Sequence, residues 1–204
     1  MNFLAHCLIP DRAVEPREPG LIAGGFIGDF VKGPVPDDLP PSLAEGVRLH
    51  RRIDAYSNQH PLIRRSCDRF PPTLRRFAPV LVDVVADHLL ARQWARFHPA
   101  ALTEFTADAY AAIAPHVHRL PEPGKRFFRY MSEEDVLARY RYRQAMHRGL
   151  MAIMQRLNRP QWSGHVIELV EARLDALDED FLGYFPDLIA HAAEWLNRPP
   201  AAPG

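Results

Sequence analysis

The sequence predicts an all-α protein, a single-domain helical bundle, on three grounds. Apolar residues recur at spacings of three and four through most of the 204 residues. No segment alternates apolar and polar side chains as a half-buried strand would, and prolines cut the chain into pieces of helical length. With 47% hydrophobic and 25% charged residues, the chain is long enough to bury one substantial core. One helical domain is therefore expected over residues 1–196, followed by a disordered Pro-rich tail over 197–204.

The elements follow in order. The first residues read as helix, with Asn2 and His6 four apart. Gly24-Gly25-Phe26-Ile27-Gly28-Asp29-Phe30 reads as a loop whose glycines allow close backbone approach and whose Asp29 is either a cap or a ligand. Pro34, Pro36, Pro40 and Pro41 enclose a second loop. Ser42-Leu43-Ala44-Glu45 has the form of a capping box, opening a helix to about Ser57 with Leu43, Val47, Ile53 and Tyr56 as its apolar stripe. Pro61 opens a short helix through Arg69, which Pro71-Pro72 closes. From Phe77 to Phe97 apolar residues cover most of the helix circumference, which makes this element central and buried. Later helices are expected over Ala100–His116, Ser132 to about Leu157, and Gly164 to the mid-190s with a break near Pro186; Pro121, Pro123 and Gly124 mark a turn.

Composition excludes several classes. Lys and Arg equal Asp and Glu at 25 each, so the chain lacks the positive excess that neutralises nucleic-acid phosphates. The run Arg139-Tyr140-Arg141-Tyr142-Arg143 suggests nucleic-acid stacking, but a solvated helix face with aromatic anchors explains it at least as well. Two cysteines, Cys7 and Cys67, form no CxxC pair and fit a reducing compartment. The N-terminus has no basic leader, and no apolar run reaches the roughly 20 residues that cross a bilayer. A cytoplasmic protein with no membrane or nucleic-acid partner is expected.

The chemistry lies in three pairs at helical i, i+4 spacing, Asn2 with His6, His50 with Asp54, and Asp83 with Asp87, the last followed by His88. Such residues share a helix face and can reach one ion. His50 and Asp54 alone also read as a surface ion pair, and His6 alone as a core histidine. Two like-charged carboxylates on a buried helix instead ask for a shared cation. Imidazoles with carboxylates and no thiolate suit Mn²⁺, Fe²⁺, Zn²⁺ or Mg²⁺, the histidines favouring a transition metal. Such an ion acidifies water and polarises a phosphoryl oxygen, making hydrolysis of a phosphate ester the natural reaction.

Four blocks carry a resemblance. Asn2-Phe3-Leu4-Ala5-His6, Gly28-Asp29-Phe30-Val31-Lys32-Gly33, Leu49-His50-Arg51-Arg52-Ile53-Asp54 and Leu81-Val82-Asp83-Val84-Val85-Ala86-Asp87-His88-Leu89-Leu90 resemble, in order and spacing, those of the acyl carrier protein phosphodiesterases. The match is read over roughly the first hundred residues. It implies a divergent, HD-like all-α fold and a manganese-dependent hydrolysis that releases 4′-phosphopantetheine from the serine of holo-acyl carrier protein, within fatty acid biosynthesis. The HD doublet is reversed here, as Asp87-His88. Asn58 stands where an aspartate is expected, and Gly25 where a Gly-Asn pair is usual.

Asp29, His50, Asp83 and Asp87 are then expected to hold the metal, with His6, Asp54 or His88 completing the set, and His60 or His88 to protonate the leaving serine oxygen. Lys32, Arg51 and Arg52 lie within the blocks and are candidates for the phosphodiester. From Arg48 to Arg76 eight arginines face two aspartates. Among them Arg64, Arg65, Arg69, Arg75 and Arg76 are expected to dock the acidic carrier protein. Two rival readings are an HD-like phosphohydrolase of nucleotides or small phosphate esters, and a non-catalytic helical binding protein.

Overall fold

The computed structural model describes residues 2–198. Eleven α-helices lie among them, with no strand: α1 (Phe3–Ala13), α2 (Pro19–Ile27), α3 (Pro41–Ser57), α4 (Pro61–Asp68), α5 (Ala78–Arg92), α6 (Leu102–Ile113), α7 (Glu122–Glu133), α8 (Val136–Arg139), α9 (Arg143–Arg156), α10 (Ser163–Glu171) and α11 (Leu174–Leu196). The all-α expectation holds. No helix of the described residues is long and apolar enough to cross a membrane.

Two helices form the centre. α5 buries Leu81, Val82, Val84, Val85, Leu89 and Leu90, as its continuous apolar surface requires, and α1 buries Leu4 through Pro10 without a break. Each fully buried Leu or Ile contributes roughly 1.5–3 kcal/mol. Around them α2 packs on α1, α3 and α6, α11 crosses α1, α3 and α4, and α9 lies on α5.

α1 is tied to α5 through its start. Asn2, at the N-cap, makes no side-chain capping bond, so the free amides of the first turn need another acceptor. The buried Asp87 of α5 supplies it: the Leu4 N–H donates to Oδ2 at 2.9 Å and the Ala5 N–H to Oδ1 at 3.0 Å. A carboxylate at a helix N-terminus also meets the positive end of the helix dipole.

Glycines set the approach of α2 to α3. A Cβ on Gly24 would lie 2.5 Å from the Leu43 carbonyl oxygen, and one on Gly46 2.6 Å from that of Leu21. Only hydrogen at both positions permits backbones this close.

Several boundaries differ from expectation. α3 starts at Pro41 with Pro40 as N-cap, so Ser42 lies inside the first turn and the capping box does not form. The glycine stretch expected as a loop is the end of α2 plus a 3₁₀ turn over Gly28–Phe30. Pro121, Pro123 and Gly124 do not mark a plain turn; they start α7, where proline's missing N–H costs nothing. The helix expected over Ser132–Leu157 is three pieces, because Asp135 takes left-handed φ of 43° and caps α8 through its side chain. The last break falls between α10 and α11, whereas Pro186 lies within α11. Most of the expected tail, 199–204, lies outside the described residues.

Candidate metal centre and cleft

Two of the four blocks converge on one cluster. His6 comes from α1, and His50 and Asp54 from successive turns of α3; one ligand atom from each lies within 4.8 Å of the others. His6 Nε2 is 3.1 Å from Asp54 Oδ1, and His50 Nε2 is 3.4 Å from Asp54 Oδ2. The two imidazoles stack with centroids 3.8 Å apart and planes 25° from parallel. Both histidines are buried, while Asp54 is 41% exposed at its side chain and opens the cluster outward.

The backbone fixes how His50 presents itself. Its Nδ1 lies 2.8 Å from the Gly25 carbonyl oxygen, which only accepts, so Nδ1 carries a proton and, in the neutral ring, Nε2 offers the lone pair. Gly28 makes room for the ring, since a Cβ there would come within 2.5 Å of His50 Cγ. Burial, and then the stacked His50, push the His6 pKa down to about 3, so this imidazole is neutral at physiological pH. Burial alone would raise Asp54, but the His6 hydrogen bond and the facing imidazoles outweigh it and hold the carboxyl below its usual range. The cluster therefore sets the His50 Nε2 lone pair, and a neutral His6 whose Nε2–H donates to Oδ1, against an ionised carboxylate. A His50 lone pair facing a carboxylate oxygen repels it unless a cation lies between them. Two imidazole nitrogens and a carboxylate at this separation fit a divalent transition metal.

Beside the cluster is a cleft of about 340 Å³, with Asn2, Asp29 and Asp83 as polar lining, Phe3, Val80, Val84, Phe127, Tyr140 and Ile153 as apolar wall, and Arg156 at its edge. Asp29 joins cleft to cluster. Burial raises its carboxyl above the ordinary range, with His50 opposing and Asp54 adding to the rise. Burial also raises Asp83, and Asp54 adds to it.

A family model described as acyl carrier protein phosphodiesterase matches residues 1–188. A protein of that name from Salmonella dublin is 34% identical over 202 residues, covering 95% of this chain and 98% of its own; those from Salmonella newport and Salmonella enteritidis are 33% identical with the same coverage. The chain belongs to the acyl carrier protein phosphodiesterase family. The match extends through the C-terminal half, well beyond the hundred residues in which the blocks lie. No solved structure matches.

Within this phosphodiesterase fold the remaining candidates divide. Asp87 points at α1 and spends both oxygens on its amides, and burial lifts its carboxyl to about 7 despite those two bonds. His88 is fully buried on another side of α5, its Nδ1 donating to the Tyr140 carbonyl at 2.7 Å. The reversed doublet therefore splits, because adjacent helical side chains diverge by about 100°. His60 caps α4: the Leu62 N–H donates to Nδ1 at 3.3 Å, leaving Nε2–H to donate to Asp187 at 3.2 Å. Both of its nitrogens are engaged.

The cationic candidates divide as well. Lys32 donates to the Asp29 carbonyl at 2.9 Å and stays near the cleft, whereas Arg51 binds the Val31 carbonyl and Arg52 reaches His191 on α11. Arg65 and Arg69 are not free for a partner: with Ser66 they hold the buried Asp180, Arg65 Nε at 2.6 Å and Arg69 through a two-pronged contact at 2.8 and 3.0 Å. Arg75 pairs with Asp68 at 3.1 Å, Arg76 covers the Phe77 ring, and Arg64 meets the Asn58 carbonyl at 3.4 Å. Sequence reading missed Phe127, Gly149, Ala152 and Arg156 as cleft lining. No motif flagged them, since they come from α7 and α9, where only small and basic residues at helical spacing hint at a shared groove.

Proposed function

We propose that this chain is a metal-dependent phosphodiesterase that cleaves 4′-phosphopantetheine from the serine of holo-acyl carrier protein. The observation that carries the reading is the His50 Nε2 lone pair, fixed by the Gly25 carbonyl and facing the ionised Asp54 with His6 alongside. This arrangement is what a divalent ion requires, and a family named for a phosphodiesterase supplies the reaction. Mn²⁺ is the first expectation, with Fe²⁺, Zn²⁺ and Mg²⁺ as alternatives.

His6, His50 and Asp54 would hold the ion, with Asp29 and Asp83 lining the cleft beside it. When bound, the ion supplies Lewis acidity toward a phosphoryl oxygen and lowers the pKa of water. Asp87 is a positioning residue: by holding the first turn of α1 it places His6. Lys32 offsets charge on the phosphodiester at the Asp29 end. The apolar wall of Phe3, Val84, Phe127 and Tyr140 lies along the pantetheine arm and excludes water from it. Water adds to phosphorus as the P–O bond to serine breaks, and the proton that water gives up goes to the departing serine oxygen, His60 and His88 being held elsewhere. The experiment is incubation of the purified, Mn²⁺-loaded protein with holo-acyl carrier protein and, separately, a nucleotide panel. Release of phosphopantetheine with nucleotides untouched supports the reading; turnover confined to nucleotides overturns it.

A further inference from the structure

We propose that the acidic carrier protein docks on the face formed by α7 and α9, through Arg148 and Arg156, and not on α4; this rests on the function proposed above. A second cleft of about 270 Å³ shares Phe127, Tyr140, Gly149 and Ala152 with the first and continues it outward, past Tyr130, Arg139 and Arg148. The groove that starts at Asp29 and Asp83 therefore opens between α7 and α9, and a prosthetic arm threaded along it leaves its protein seated there.

The surface at this opening has the composition of an interface. The exposed large hydrophobic residues among the described ones are Tyr130, Tyr142 and Met151, all on or beside α7 and α9. Arg148, Ala152 and Arg156 form an i, i+4, i+8 row on α9 with Met151 next to it. Arg148 and Arg156 have no carboxylate at ion-pairing distance among the described residues, and Arg126 and Arg129 of α7 likewise have none. Aromatic, Met and Arg side chains are the types enriched where proteins bind proteins. The guanidinium groups of Arg148 and Arg156, which line the groove, complement an acidic partner. On α4, by contrast, Arg65 and Arg69 are committed to Asp180 inside the fold.

The test measures KM for holo-acyl carrier protein by mass-resolved release of phosphopantetheine, with the Mn²⁺-loaded enzyme at low salt. Wild type is compared with Arg148→Glu/Arg156→Glu, with the milder Arg148→Gln/Arg156→Gln, and with Arg64→Glu/Arg76→Glu on the rival surface. The expected result is a rise in KM of on the order of tenfold or more for the α9 reversal, a smaller rise for the glutamines, and about no change for the Arg64/Arg76 pair. The glutamine pair, which removes charge without adding any, keeps the test valid should the reversed protein melt early. A KM unmoved by either α9 variant, or raised only by the Arg64/Arg76 pair, overturns the docking face while wild-type turnover leaves the function intact. Absence of release by wild type removes the function and the docking face together.

Discussion

His6 and His50, from helices α1 and α3, stack their imidazoles with centroids 3.8 Å apart over a shared aspartate, Asp54. In the function proposed above, these two imidazoles and the ionised carboxylate hold the divalent cation. His50→Gln and His6→Ala should each lower Mn²⁺ affinity by at least about 10–100-fold, the loss typical even of residues that only support a ligand. Calorimetric titration with Mn²⁺, alongside a circular dichroism check of the fold, measures this. Unchanged affinity in both variants would remove the cluster as the metal site.

Gly28 is where the backbone makes room for His50. A methyl group there would lie within 2.5 Å of the ring, so Gly28→Ala must rotate His50 away from Asp54 or shift the 3₁₀ turn. The expected outcome is loss of turnover with Mn²⁺ affinity reduced as in His50→Gln, and a modest drop in Tm. Full activity in Gly28→Ala would show that ring orientation does not matter.

Asp87 separates positioning from ligation. Asp87→Asn keeps one acceptor oxygen but removes the charge at the start of α1, for a cost of about 1–2 kcal/mol. For a chain of this length that is roughly 2–8 °C in Tm. Mn²⁺ affinity should fall only a few-fold, far less than in His50→Gln. A collapse of affinity as large as that of the histidine variants would place Asp87 on the metal.

Asp180 gives stability its acid limit. Burial would raise its carboxyl, but hydrogen bonds from Arg69, Ser66 and Arg65 prevail and hold it below the ordinary range. A carboxyl depressed in the folded state stabilises above its unfolded pKa of about 3.9, and that stability is lost as pH falls through the folded value. Urea midpoints should therefore drop below about pH 4 in wild type. Asp180→Asn should be destabilised at neutral pH by roughly 1–3 kcal/mol and show a flatter acid limb. An acid limb as steep in Asp180→Asn as in wild type would assign it to other groups.

Much of the fold was legible because its signals are local. Proline positions and apolar spacing place α3, α4 and α5 within a few residues, and the i, i+4 rule pairs His50 with Asp54. What stayed hidden depends on partners distant in sequence. A buried carboxylate such as Asp87 needs compensation, and sequence cannot distinguish a cation from the amides of a helix 82 residues away. Arg65 and Arg69 look like a solvated basic face until Asp180, more than a hundred residues on, occupies them. The Ser132–Leu157 stretch reads as one helix because nothing in its spacing reveals that Asp135 adopts left-handed backbone.

The most direct measurement is the intact mass of holo-acyl carrier protein after exposure to this enzyme, with and without Mn²⁺ and with His50→Gln in parallel. The account requires loss of the phosphopantetheine mass with wild type and Mn²⁺, and an unchanged mass when either the metal or His50 is withdrawn. Equal loss in all three mixtures, or none with wild type and metal, would contradict it.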